Sequence, residues 1–298
     1  MSQDVKLEEA TAPPPIPGHP VALSPNRLYA YSGAFLLLTV LAYWPTIRMT
    51  AEVITASDDM AHGLFAPIVA LFVLHFERDR ILAARLTPSW IALPVLLAAG
   101  ALAIVALLGG SSTLHRAAML ITLTGGALAI GGFRLLRLTL FPISLLLFTF
   151  PIPVVLYGEI TQPLQLFASQ MAERVFEILG YSVIREGNIL TLSHEILSVE
   201  EACSGIRSLV SLSFFCMAYA YFFEHRFMPR LWVVLGAVPA ALAMNVTRIV
   251  VTGVLSRYNP EWTKGTAHDA LAWAVFIVGF GLVLLAHRLI RARFPEKL

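Results

Sequence analysis

Charge is what this chain has least of. Only 13% of its 298 residues are Asp, Glu, Lys or Arg, while 57% are hydrophobic, and the mean hydropathy is +0.75. A soluble domain carries about 25% charged residues, so a water-soluble globule is excluded. A net charge of +2 with no basic tract leaves no electrostatic footprint for nucleic acid. Cysteine is nearly absent as well. Cys203 and Cys216 lie 13 residues apart on one expected helix, which separates them by about 20 Å and excludes a disulfide between them. Neither Cys-x-x-Cys nor His-Glu-x-x-His occurs, so dithiol redox and zincin chemistry lack their motifs. No metal and no cofactor is expected. There is also no basic stretch followed by a short apolar core and a cleavage site, so no removable signal peptide is expected.

What is abundant is apolar runs near the length of about 20 residues that crosses a bilayer. They fall near 28–47, 63–77, 89–109, 114–132, 138–157, 203–223, 231–255 and 268–290. The expectation is an all-α polytopic membrane protein of about eight transmembrane helices in the lipid bilayer, the first retained as an anchor. Residues 1–26, with Pro13-Pro14-Pro15-Ile16-Pro17, read as a disordered Pro-rich tail, and 27–298 as the transmembrane domain. Arg78, Arg80 and Arg85, then Arg134 and Arg137, then Arg226 and Arg230, then Arg288, Arg291, Arg293 and Lys297 follow alternate runs. The positive-inside rule puts these connections and both termini in the cytoplasm. The loops at 48–62, 158–202 and 256–267 then face outward from the cell (inner) membrane.

The outward segment at about 158–202 reads as a small cap of helix plus hairpin. Ile160, Leu164, Phe167, Met171, Val175 and Ile178 recur at three and four residues, opposite Glu159, Gln162, Gln165, Glu173 and Glu177. That pattern is an amphipathic helix at the interface. Short β-rich runs around Arg185-Glu186-Gly187 follow and read as a hairpin. Together they are expected to lie as a lid above Cys203.

The chemistry concentrates where the cap runs into the sixth apolar helix, at Glu200-Glu201-Ala202-Cys203-Ser204-Gly205-Ile206-Arg207-Ser208. Cys203 and Arg207 are four residues apart and share a helix face. Cysteine commonly packs as a small apolar residue, and Cys216, among Phe214, Phe215 and Met217, fits that role. Cys203 differs, because a helix start and nearby cations favour the thiolate. Arg248, in Asn245-Val246-Thr247-Arg248, lies about 10 Å inside its span. Burying it costs about 2.5–3.5 kcal/mol, which points to an anionic partner. His268 opens the last span from the same face, and an imidazole near neutrality suits general acid–base work. Asp59 and His62 sit on the outer loop before the second span, where a solvated surface is the simplest role. Glu201 fits a helix cap, and Ser204 is a rival nucleophile without a Gly-x-Ser-x-Gly context. A transporter, or a non-catalytic envelope-assembly factor, would also suit eight spans. The ionisable residues gather in the outer third, however, and no internal repeat marks a midplane site.

Glu201-Ala202-Cys203-Ser204-Gly205-Ile206-Arg207-Ser208, then Asn245-Val246-Thr247-Arg248-Ile249, then His268-Asp269 resemble the exosortase/archaeosortase family of membrane-embedded cysteine transpeptidases. Asp58-Asp59-Met60-Ala61-His62-Gly63, Phe150-Pro151-Ile152-Pro153 and Arg185-Glu186-Gly187-Asn188 also look like landmarks of that family. The resemblance implies a catalytic Cys203, Arg248 and His268, with Arg207, Ser204, Glu201, Asn245, His62 and Asp59 in supporting or substrate-binding places. It implies as partners the C-terminal sorting tails of exported proteins, of the Pro-Glu-Pro type, and an unknown acceptor nucleophile. It ties the chain to envelope and exopolysaccharide biogenesis.

Overall fold

The computed structural model describes residues 24–56, 58–193, 195–199, 205–259, 262 and 265–293, with the backbone alone at 58, 59, 61, 154 and 268. The expected tail falls almost wholly outside these residues. Ten α-helices carry the described chain: α1 Pro25–Ala42, α2 Trp44–Ala56, α3 Phe65–Phe76, α4 Arg78–Ala83, α5 Ala92–Leu108, α6 Ser112–Leu145, α7 Val154–Ile178, α8 Ile206–Phe223, α9 Phe227–Tyr258 and α10 Gly265–Arg293. The protein is an all-α polytopic membrane protein. The run Ser112–Thr149 and helices α8, α9 and α10 are each long and apolar enough to span a bilayer. α1 and α2 add a fifth if counted together, although they meet at 72°, and two shorter apolar helices cover His62–Phe76 and Ala92–Leu108.

Two of the expected spans take an unexpected form. The first, read as 28–47, bends at Tyr43, and α2 departs at a steep angle. The run near 138–157 is not one helix. It ends in a 3-10 turn at Leu146–Thr149, and Phe150-Pro151-Ile152-Pro153 is non-helical before α7 begins. Pro151 and Pro153 lack the N–H that a continuing helix needs and push the residue before each into extended backbone. The run expected at 114–132 ends where the backbone of α6 breaks, at Gly132 (φ 65, ψ −156). A Cβ there would stand 2.1 Å from the Thr87 carbonyl oxygen, so only glycine fits. The two arms of α6 run in opposite senses. Before Gly132, Arg116 meets Thr50 while Ala127 packs with Leu28; after it, Leu135 packs with Leu28 and Phe148 lies beside Gly63.

The cap is richer than a hairpin. β1 Val183–Glu186, β2 Ile189–Leu192 and β3 Ile196–Ser198 form a three-stranded antiparallel sheet in the order β1-β2-β3, with Arg185 opposite Leu190 and Leu190 opposite Leu197. Gly187 turns the first pair with φ 65. Ala168, Ala172 and Phe176 of α7 pack with Leu190, Leu192 and Val199 against Ile249 and Val250 of α9. Gly253 lets them close in, since a Cβ there would be 2.6 Å from Phe176. The buried face of α7 is therefore Thr161, Ala168, Ser169, Ala172 and Phe176. Ile160, Phe167 and Ile178, expected on the apolar stripe at the interface, point away from this core, with Ile178 84% exposed. Small side chains took the protein face because α9 approaches closely there, leaving the large ones for the membrane interface.

α8, α9 and α10 pack on one another. Leu212, Cys216 and Ala220 meet Val233, Ala237, Ala241 and Met244, backed by Phe276, Phe280 and Val283. Cys216 is fully buried, in keeping with a packing role. Gly205 touches Asn245 and the Glu224 backbone carbonyl accepts from Arg230 at 2.7 Å, so α8 and α9 are antiparallel. The two ends of this unit are called below the Gly205 end and the Glu224 end.

Candidate functional site

Gly205 caps α8 in the left-handed region (φ 78), immediately after the segment 200–204, which lies outside the described residues. Cys203, Ser204 and Glu201 therefore have no described placement. Their continuation does. A Cβ at Gly205 would lie 3.0 Å from Asn245 Nδ2 and 3.1 Å from its Cγ, so the start of α8 is seated on the Asn245 side chain. Asn245 and Arg248, three residues apart, share one face of α9. Both are buried, at 2% and 5% exposure. The cap closes over the next turn at Ile249 and Val250.

Arg207 is half-buried in the first turn of α8. Ser211 follows one turn later, and its hydroxyl shares a 3.2 Å hydrogen bond with His62 Nδ1. His62 comes from a 3-10 turn, Asp58–Leu64, whose approach depends on Gly63 lying against Ile54 and the Phe148 carbonyl. The imidazole is 4% exposed and stands edge-on to Phe148, ring centroids 6.4 Å apart. The expectation of a solvated His62 is thus corrected: the 3-10 turn that leads into α3 carries it into contact with α8. Asp59 lies in the same 3-10 turn. His268 occupies the first turn of α10. Gly279 and Met244 are level, since a Cβ at Gly279 would meet Met244 Sδ. Counting turns from that point, the His268 backbone stands about 10 Å farther toward the Gly205 end than that of Arg248. The structure thus brings Gly205, Asn245, Arg248, Arg207, Ser211 and His62 to one end of the helices.

Ser211 was not singled out in the sequence, although its place one turn beyond Arg207 was legible. A second polar cluster, at the Glu224 end, was also missed. His287 Nε2 lies 3.1 Å from Glu224 Oε2, and His287 Nδ1 lies 3.2 Å from the Tyr219 hydroxyl. The Arg226 N–H donates to Glu224 Oε1 at 3.1 Å. Burial alone would raise the Glu224 carboxyl; the Arg226 N–H, the His287 hydrogen bond and the Arg291 charge outweigh it and hold the group below its ordinary range. Nearby, the Tyr221 hydroxyl donates to buried Glu77 at 2.8 Å, with Arg80 at 3.2 Å from the same oxygen. The available signal was ionisable residues at the ends of apolar runs, which are costly there without partners. A third cluster joins α6 to α2, where His115 bonds Thr46 and Arg116 Nε donates to Thr50 at 2.9 Å. Among the described residues, no three His, Cys, Asp or Glu side chains converge as a metal site would require.

Helices threaded through a bilayer, with buried Asn245 against the start of α8 and buried Arg248 one turn further along α9, define an integral-membrane protein with a polar cluster at one end of the bundle. The transmembrane exosortase family model matches residues 49–285, and the chain belongs to that family. It is a family of membrane cysteine transpeptidases that sort proteins carrying C-terminal signals. No curated protein and no solved structure matches the chain.

Proposed function

We propose that this chain is a membrane cysteine endopeptidase/transpeptidase that cuts the C-terminal sorting tails of exported proteins at the outer face of the cell inner membrane. The observation that supports this most is the seating of Gly205 on Asn245, one helical turn from buried Arg248. Chain connectivity keeps Cys203 within about 7 Å of Gly205. A thiol on that tether and a guanidinium in that face can share one substrate carbonyl.

In the reaction, the Cys203 thiolate attacks the scissile carbonyl, and its C=O electron pair becomes an oxyanion beside Arg248. The oxyanion collapses, the C–N bond breaks, and His268 gives its proton to the leaving amine. The product is a thioacyl enzyme. Water or another acceptor then attacks, His268 takes the acceptor's proton, and the C–S bond breaks to restore the thiolate. Arg207 steadies the thiolate or orients the tail, and Asn245 holds the start of α8. Ser204, Glu201, Asp59 and His62 are assigned to the surroundings of this centre. The tail read here has a short Pro-Glu-Pro type motif, a transmembrane helix and a basic end, which ties the protein to envelope or exopolysaccharide biogenesis.

The test is intact-mass spectrometry of a tailed reporter made beside the wild type or Cys203→Ala. Shortening by the wild type alone is expected, and the mass of the product identifies the acceptor. Equal shortening by both proteins overturns the reading.

A further inference from the structure

Arg116 is 3% exposed, one helical turn inside the start of α6, and its charge has no counterpart. Its Nε donates to the Thr50 hydroxyl at 2.9 Å, which is its one polar contact among the described residues. α1, α3, α5 and α6 contain no acidic residue. On α2, Glu52 is bonded to exposed Arg48 at 2.9 Å. It stands two residues from Thr50 and so on another face of that helix. A guanidinium is a planar fork of N–H donors that stays charged and accepts no hydrogen bond. Enclosed among apolar helices, such a group calls for an anion.

The surroundings supply donors and an opening. α2, bent away from α1 at Tyr43, lies against the first turns of α6, where Thr46 bonds His115 and Thr50 bonds Arg116. All four side chains are buried. The Thr50 oxygen accepts from Arg116, so its own proton is left to donate. Arg116 Nη1 and Nη2 are neither bonded nor among the polar atoms sealed inside the protein, so the open side of the fork reaches the surface. The side chain leans toward the N-terminus of α6. There the unpaired N–H groups and the helix dipole add positive potential. α5 and α6 meet at Gly109-Gly110-Ser111, which puts Arg116 about 6 Å inside its helix. A bilayer presents its headgroups at that depth. Ile54, one turn beyond Thr50, reaches Gly63, so the cluster lies at the Gly205 end, on the α2 side of His62.

We propose that Arg116, Thr50 and the start of α6 bind a phosphate oxyanion, supplied by the phosphodiester of a lipid headgroup or by free phosphate. Two phosphate oxygens match the open side of the guanidinium fork, and a further oxygen accepts from Thr50. Nothing in this site depends on the peptidase reading.

Binding to the folded chain raises its melting temperature, so melting of the full chain in uncharged detergent at fixed ionic strength reads the site. The probes are dioleoylphosphatidylglycerol, dioleoylglycerol with the same tails and no phosphate, inorganic phosphate, and acetate. A saturable rise in Tm with phosphatidylglycerol and none with dioleoylglycerol or acetate is expected. An equal rise with inorganic phosphate supports the site and assigns it to the free ion, whereas a rise with the lipid alone assigns it to the headgroup. No rise with either phosphate probe overturns the proposal, as does acetate matching phosphate or dioleoylglycerol matching phosphatidylglycerol. Arg116→Gln should abolish the rise. Arg116→Lys, a point charge without the fork, should weaken the apparent affinity about tenfold. Thr50→Val keeps the shape of the contact and should weaken it about fivefold, which carries the test if Arg116→Gln does not fold. Arg48→Gln, at an exposed arginine on α2, should leave the rise unchanged. An arginine with a merely structural role would lower the starting Tm of its variants and leave the rise intact. A full rise in both Arg116→Lys and Thr50→Val, or an equal loss in Arg48→Gln, overturns the site.

Discussion

Gly205 faces Asn245 at the start of α8, where a methyl would be crowded: a Cβ would lie 3.0 Å from Nδ2. The same residue needs φ 78, in the left-handed region. Gly205→Ala is therefore expected to lose about 1–2 kcal/mol from backbone strain alone. It also displaces Asn245, and with it the face shared with Arg248. Melting in detergent should fall modestly while tail shortening falls far more. A variant that melts early yet cuts at the full rate would detach this contact from the site.

Gly132 makes a different kind of demand, because its neighbour is the Thr87 carbonyl and not the end of a side chain. Its φ 65 and ψ −156 belong to a region that is essentially glycine-only. Gly132→Ala should cost about 3 kcal/mol or more, seen as loss of monodisperse protein in mild detergent. Gly158→Ala, in α7 with nothing within 4 Å of its Cβ, is the control and should behave as wild type.

Composition and hydropathy made the membrane class legible, because about 20 apolar residues in a row have few other uses. What they left hidden is where runs break. Tyr43 sits inside the apolar stretch 28–47, whose bend no local window announces, whereas Gly132 falls at the end of the run read as 114–132. The cap was legible as helix plus hairpin from its periodicity. The face α7 buries was not, because Ala168 and Ala172 are chosen for closeness to α9 and carry little hydropathy signal. At the site, Arg248 was readable as a charge inside an apolar run, whereas His62 was assigned to solvent because its contact with Ser211 spans 149 residues of sequence.

Glu224 gives a pH prediction whose sign is fixed by its lowered carboxyl. The groups around it are His287, the Arg226 N–H and the Arg291 charge, with Tyr219 behind the imidazole and Arg230 on its carbonyl. A depressed folded value means that the stabilisation is fully present above the unfolded carboxylate pKa of about 4.3. It is lost as the pH falls through the folded value. Wild type should therefore melt above Glu224→Gln at neutral pH, and the gap should close in acid, below about pH 4. A gap that is constant across that range would remove the carboxylate from the account.

His62 and Ser211 are joined by one hydrogen bond between segments 149 residues apart, and Arg207 stands one turn before Ser211 on α8. The bond therefore fixes the 3-10 turn Asp58–Leu64, which leads into α3, against α8. Ser211→Ala removes the hydroxyl, and His62→Phe keeps an aromatic ring beside Phe148 while removing the ring nitrogens. Each single change should cost about 1 kcal/mol, as buried hydrogen bonds do. In a double-mutant cycle on detergent stability, the double change should cost little more than the worse single one. The rate of tail shortening should follow the same pattern if this turn holds α8 in register for catalysis. Strictly additive losses would mean that the two side chains act separately, and that α8 takes its place from its packing on α9 and α10 without this bond.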